Sequence, residues 1–430
     1  MKSFIKKLVP EFILDLYHKS LALVGAFIYG RPSNKLIVIG VTGTNGKSTV
    51  VNLIGYILEE AGHKVGWTST INFKVADKIW LNDQKMTMPG RFAIQKLLKQ
   101  MLKKNCSHAI IETSSEGIKQ HRHLGINYDI AVFTNLTPEH LETHGSFENY
   151  KQAKAKLFKH LTHKPKKNIK GKIIDKTIII NNDDEFGSFF LDFKADQKLT
   201  FSINKEADFK AEDIKLTSSG TFFKIEESTY KNNLLGKVNI YNCLAAIAIA
   251  NTQKIKEEII KQALIKYQVL SGRYEFIDQG QNFKVMVDYA PEPESMKNLY
   301  ETLNLFKFNH IIHVLGSCGG GRDHARRPVL GALAASKADY VIVTNEDPYN
   351  DDPQLIINEV AQGAIKAGKV LNHNLFKIMD RKEAISYALS LAQKNDLVLL
   401  TGKGAEQFIC VADNKKIPWD DREIVKELLK

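Results

Sequence analysis

The stretch Ile39-Gly40-Val41-Thr42-Gly43-Thr44-Asn45-Gly46-Lys47-Ser48-Thr49 constrains this chain more than any other, because an apolar run breaks into a small-residue turn and then opens a helix. Without a Cβ at Gly43 and Gly46, the backbone turns tightly and aims successive N–H groups at phosphate oxygens. Lys47 adds a point charge, the Ser48 hydroxyl can ligate Mg2+, and the following helix directs its positive end at the same anion. A strict G-x-x-x-x-G-K-[ST] would place glycine at Val41, so the tighter form Gly-Thr-Asn-Gly-Lys-Ser-Thr is the one that fits.

A chain of 430 residues exceeds one ordinary core, which predicts two or three domains. Val50 to Ala61 has helical periodicity stopped by Gly62, and Lys64 to Thr70 reads as the next strand. Apolar runs at His108 to Glu112, Ile130 to Thr134 and Thr177 to Asn181 alternate with helical segments, predicting a mostly parallel sheet covered by helices. Lysine-rich Lys164 to Lys176 reads as a loop or hairpin insertion, and Thr200 to Glu227 as a small antiparallel addition. A second alternating pattern begins after Ser271-Gly272-Arg273. The expected class is α/β: a helical segment over 1–36, a central P-loop ATPase-type parallel-sheet domain over 37–271, and a Rossmann-like α/β domain over 272–430.

The net charge of +12 is spread along presumed helix faces without interleaved aromatics, which reads as a solvated surface and not as a nucleic-acid interface. Cys106, Cys243, Cys318 and Cys410 lie far apart with no C-x-x-C pair, so neither a zinc site nor a disulfide framework is indicated and a reducing cytoplasm is expected. Near the N-terminus, Lys2, Lys6 and Lys7 precede the apolar stretch Leu21 to Tyr29, which is too short to span a bilayer. Phe12, Leu16, Leu23 and Phe27 share one helical face and predict a helix docked on the next domain; the alternative is an interfacial membrane helix.

Polar clusters follow several of the apolar runs, where parallel strands deliver ligand-binding residues. Glu112 ends Ala109-Ile110-Ile111 and precedes Thr113-Ser114-Ser115; a carboxylate there can hold Mg2+ beside nucleotide phosphates. His140, in Thr134-Asn135-Leu136-Thr137-Pro138-Glu139-His140, is a candidate second metal ligand.

In one order along the chain stand Gly43 to Thr49, Glu112-Thr113-Ser114-Ser115, Phe133-Thr134-Asn135-Leu136 with Glu139-His140, Tyr150 to Phe158, Gly236-Lys237-Val238-Asn239 with Asn242, Gly272-Arg273, Asp288-Tyr289-Ala290, Gly319 to Pro328, and Gly402-Lys403-Gly404 with Glu406. This series resembles the Mur ligases over about residues 37 to 430, and most of all the branch that adds the third peptide residue. The resemblance implies an ATP-dependent amide ligase of cell-wall precursor synthesis, acting on a muramoyl-dipeptide-type carboxylate through an acyl phosphate. Ser48 and Glu112 would serve one Mg2+; His140 and a carbamate on Lys154 would serve a second. Asn239 and Asn242 resemble adenine-side positions, and Arg273 with Asp288 resemble ATP contacts from the domain junction. Lys47, Lys154 and His140 would thus be the catalytic groups. Thr87 and Ser114 fall on the muropeptide side. For the amino-acid substrate, Arg322 resembles a carboxylate clamp, Glu406 a partner for an ammonium group, and Gly402, Asp347 and Tyr349 belong to the specificity stretches.

Diaminopimelate-adding members carry arginine where Tyr349 stands, so the resemblance favours lysine or another diamine-bearing amino acid. Glu116, Pro291 and Ala405 replace family histidines, Glu139 replaces an aspartate, and Thr87-Met88-Pro89 has lost one hydroxyl. Typical members also carry a uridine-binding domain before the phosphate loop, where this sequence has 36 residues before Ile37, so UDP recognition is expected to be weaker or differently built. A folylpolyglutamate-synthase-like ligase and a non-catalytic nucleotide-binding subunit are the rival readings; Glu-Thr-Ser-Ser, Phe-Thr-Asn-Leu and Gly-Lys-Gly-x-Glu argue against the former.

Overall fold

The computed structural model describes residues 10–138, 144–321 and 324–430. Eleven strands open the fold: β1 (Ile37–Thr42), β2 (Val65–Thr68), β3 (Asn72–Val75), β4 (Lys78–Leu81), β5 (His108–Glu112), β6 (Ile130–Phe133), the hairpin β7 (Lys167–Ile169) and β8 (Lys172–Ile174), β9 (Thr177–Asn181), β10 (Gln197–Ser202) and β11 (Phe209–Lys210). Nine of them form one sheet in the order β11-β10-β9-β6-β1-β5-β2-β3-β4. It is parallel from β11 to β2, and the pairs β2–β3 and β3–β4 at the other end are antiparallel. Both faces are covered, which is why β1, β5, β6 and β9 read as unbroken apolar runs. The helix Lys47–Glu60 and the helix Lys237–Thr252 pack on one face with Trp67, while Tyr128, Phe133 and Phe158 fill the other.

The predicted antiparallel addition is a three-stranded sheet of β12 (Glu212–Thr217), β13 (Gly220–Ile225) and β14 (Ser228–Asn232). The expectation began it too early. Residues 200–202 belong to β10, whose Leu199 and Phe201 face the main core, so an alternating pattern was read as separate when it was an outer parallel strand.

After Arg273 comes a second sheet: β15 (Glu275–Ile277), β16 (Lys284–Val287), β17 (Ile311–Leu315), β18 (Tyr340–Val343), β19 (Leu375–Lys377) and β20 (Leu397–Leu400) in the order β15-β16-β20-β17-β18-β19. All pairs except β15–β16 are parallel. Among the described residues the polypeptide passes between the sheets once, at Gly272. That residue has φ +67°, and a Cβ there would lie 2.1 Å from the backbone nitrogen of Ala405, so only glycine fits.

The N-terminal helix Glu11–Ile28 docks with the face opposite to the one expected. Ala22, Gly25 and Ala26 meet Gly125 and the start of the helix Arg91–Lys103, and Asp15 pairs with His121 and Lys19. Phe12, Leu16, Leu23 and Phe27 are instead 71%, 64%, 53% and 73% exposed. Small residues permit the close approach that a row of bulky ones would prevent. Among the described residues no helix is long and apolar enough to cross a membrane.

Candidate active site

Gly43 and Gly46 behave as the sequence requires. Both have positive φ, and Cβ atoms there would lie 2.0 Å from Thr134 Oγ1 and 2.3 Å from Asn242 Oδ1. Asn135 Oδ1 accepts from the Asn45 N–H at 2.8 Å, and Thr134 Oγ1 donates to Asn45 O at 2.7 Å, so the loop is braced from β6. Thr44 is fixed by Tyr150, its hydroxyl 3.2 Å away. Lys47 folds back to donate to Thr44 O at 2.6 Å.

Glu112 stands one strand away, because β5 and β1 pair in register with Val41 opposite Glu112. Ser48 Oγ donates to Glu112 Oε2 at 2.7 Å. Thr70, absent from the sequence-derived set, completes the carboxylate's shell: its N–H donates to Oε2 at 2.7 Å and its hydroxyl to Oε1 at 2.8 Å. The same hydroxyl lies 2.9 Å from that of Thr87. A serine hydroxyl and a carboxylate at the lip of a phosphate loop are the oxygen donors Mg2+ prefers, so the residues fit the ion the loop calls for.

Lys154 is buried and donates to Gly43 O at 2.7 Å, its ammonium 4.3 Å from the centre of the Tyr150 ring. It therefore supports the phosphate loop from behind. His140 lies outside the described residues, as does Arg322.

One cavity of about 580 Å³ gathers most of the candidates: residues 44–49, Thr87, Glu112, Ser114, Asn239, Asn242, Arg273 and Asp288. Asn242 donates to Asn239 Oδ1 at 2.8 Å and Asn239 to Leu235 O at 2.7 Å, fixing both amides at the start of the helix Lys237–Thr252. From the C-terminal domain, the Arg273 guanidinium lies 4.5 Å from the Tyr289 ring centre. Asp288 accepts from the N–H groups of Tyr274 and Ala290, each at 2.8 Å. Burial raises its carboxyl above the ordinary aspartate range, with Arg273 opposing. Arg122 also lines this cavity and bonds to Gln120 Oε1 at 2.8 Å and to Met88 O. No motif surrounds it, so nothing in the local residue pattern singled it out.

Asp347, Tyr349, Gly402 and Glu406 form a second group behind this cavity wall. Asp347 Oδ1 accepts from Lys403 Nζ at 2.9 Å and from the Cys410 N–H at 2.7 Å, while Glu406 Oε2 accepts from Lys403 at 2.9 Å. Burial would raise the Asp347 carboxyl, but Lys403 and Lys85 together hold it below the ordinary range. Gly402 has φ +101°, and a Cβ there would come 2.3 Å from Glu346 Oε2. Tyr349, at φ +52°, donates its N–H to Cys410 O at 3.0 Å and lays its ring on Gly320. Cys318, Glu346 and Asp347 have ligand atoms within 4.8 Å of one another, but two ammonium groups already occupy the Asp347 oxygens.

Residues 41–250 match the Mur ligase middle domain, and residues 272–404 the Mur ligase, glutamate ligase domain. The UDP-N-acetylmuramoyl-L-alanyl-D-glutamate–2,6-diaminopimelate ligase of Bacillus cereus is 35% identical over 426 residues, covering 98% of this chain and 84% of the relative. The chain belongs to the Mur ligase family. A UDP-N-acetylmuramyl-tripeptide synthetase of Roseiflexus is 36% identical over 96% of this chain and 82% of its own length. A solved diaminopimelate ligase of the same kind is 28% identical with a TM-score of 0.59, covering 92% of this chain and 78% of that one. This Mur ligase is an ATP-dependent, ADP-forming enzyme that makes a carbon–nitrogen bond in peptidoglycan synthesis.

Proposed function

We propose that this Mur ligase joins an amino acid bearing a second amine, L-lysine before 2,6-diaminopimelate, to the terminal carboxylate of a muramoyl dipeptide. The observation that carries the reading is the single cavity in which the phosphate loop, Glu112 and Thr87 face Arg273 and Asp288 of the other domain. A carboxylate is a poor acyl donor. Transfer of the γ-phosphoryl group to it yields an acyl phosphate and ADP, and attack by the amine then releases phosphate. Bringing two anions together is the costly part, so Lys47 and Arg273 serve by neutralising charge. Ser48 and Glu112 would hold Mg2+, which adds charge neutralisation at the phosphates. Thr87, Ser114 and Arg122 line the same cavity as Glu112 and would orient the muropeptide carboxylate.

Lys154 and His140 would hold a second Mg2+ after Lys154, as the neutral amine, combines with carbon dioxide to give a carbamate and a proton. Its contact with Gly43 O would place that new anion at the base of the phosphate loop. On the amino-acid side, Arg322, Asp347, Tyr349, Gly402 and Glu406 would form the pocket. A tyrosine at 349 cannot make the paired hydrogen bonds by which a guanidinium holds a distal carboxylate, which favours lysine. The exposed apolar face of the helix Glu11–Ile28 would rest on the cytoplasmic membrane surface.

ADP release measured with UDP-muramoyl dipeptide and either amino acid tests the reading. Release that requires both substrates, with L-lysine used more efficiently, is expected. Release with neither amino acid overturns the ligase assignment, and a preference for 2,6-diaminopimelate overturns the specificity.

A further inference from the structure

The turn that carries Thr87 also carries Lys85, which has no part in the chemistry above. Its side chain leaves the central domain, crosses the cleft and ends among groups of the C-terminal domain. The ammonium donates to Asp347 Oδ2 at 2.5 Å and to Glu406 Oε2 at 2.8 Å, and the side chain is only 9% exposed. Burial by itself would lower this ammonium's pKa, yet the two carboxylates raise it above the ordinary lysine value.

Lys403 supplies the other cation for the same carboxylates, from within their own domain. Each carboxylate therefore sees one ammonium built into its domain and a second lent by the neighbouring one. Lys85 lines the nucleotide cavity, whereas Asp347 and Glu406 do not. The lysine is thus the partition between the cleft and the acidic pair. Withdrawing it would leave Lys403 as the one ammonium, among the described residues, hydrogen-bonded to the two carboxylates, and a replacement cation restores the balance.

We propose that Lys85 is a resident occupant of the seat for the substrate's side-chain ammonium, so that the amino acid enters by exchanging with it. The proposal rests on the function argued above and adds two properties to it. An amino acid without a second ammonium cannot balance Asp347 and Glu406, so it leaves Lys85 in place and is rejected. The exchange also unties the central-domain turn from the C-terminal domain, which makes amino-acid entry and interdomain contact mutually exclusive at this point.

Two measurements test this. In steady-state kinetics, Lys85→Gln should lower the KM for L-lysine about tenfold, the factor recovered when a competitor that fills a seat most of the time is removed. The KM for ATP should not move, and Lys85→Arg, which retains the cation, should behave like the parent chain. An unchanged or higher KM for L-lysine in Lys85→Gln overturns the proposal. The second measurement needs no turnover: brief amine acetylation read by mass spectrometry. Lys85 should react far more slowly than the exposed Lys78, and should become reactive in Asp347→Asn or when L-lysine is added in excess. If the chain releases no ADP with any amino acid, the ligase reading fails and the labelling still decides: Lys85 reacting as fast as Lys78 removes it from the seat.

Discussion

Lys47→Ala should reduce ADP release by at least about a hundredfold, since a developing phosphoryl charge loses its nearest cation. The thermal unfolding midpoint should stay within a few degrees, because among the described residues the Lys47 ammonium is held by a single local hydrogen bond to Thr44 O. Glu112→Gln is a different kind of change. It keeps the shape of the shell formed by Ser48 and Thr70 but halves its capacity to bind a dication, so the Mg2+ concentration needed for half-maximal rate should rise about tenfold. Tyr349→Arg should raise the use of 2,6-diaminopimelate relative to L-lysine by about tenfold, read as a ratio of kcat/KM values. The placement of Gly43, Gly46, Ser48 and Glu112 was legible because each stands next to a strand end with a recognisable neighbour. Thr70, Lys85 and Arg122 were not, because their partners lie 42, 262 and 34 residues away in sequence and no local pattern records such a meeting.

Element by element, periodicity located the helix after the phosphate loop and the buried strands β2, β5, β6 and β9, since a parallel sheet buried on both faces leaves unmistakable apolar runs. It failed to orient the N-terminal helix. A face of Phe12, Leu16, Leu23 and Phe27 is the natural choice for burial by area, but contact went to Ala22, Gly25 and Ala26, where two backbones can approach. The two faces should respond oppositely to mutation. Leu16→Ser should change unfolding free energy by no more than about 0.5 kcal/mol, whereas Ala26→Leu should cost about 1–3 kcal/mol through overcrowding against Gly125. Urea denaturation of each variant measures the difference. Flotation with anionic vesicles then reads the outer face: Leu16→Ser with Phe27→Ser should lose whatever binding the parent chain shows.

At the scale of the whole molecule, burial keeps histidines neutral in both domains. His108 and His160 are pushed down to about 4 and His313 to about 3, in each case chiefly by desolvation. Their unfolded value is near 6.5, so below it the unfolded chain takes up protons that the native chain refuses. Stability is therefore full above about pH 6.5 and falls as the pH drops toward about 4, by up to about 1.4 kcal/mol per pH unit for each such histidine. Urea unfolding followed from neutral pH into this window should show the decline, and His108→Gln should flatten it.

The covalent crossing at Gly272 lies against Ala405, one residue from Glu406. Placing an axle there has a mechanical result. Were the C-terminal body to swing about this point, atoms far from the axle would travel along wide arcs while Glu406 scarcely shifted, so an amino acid held there as proposed would keep one end still as its surroundings moved around it.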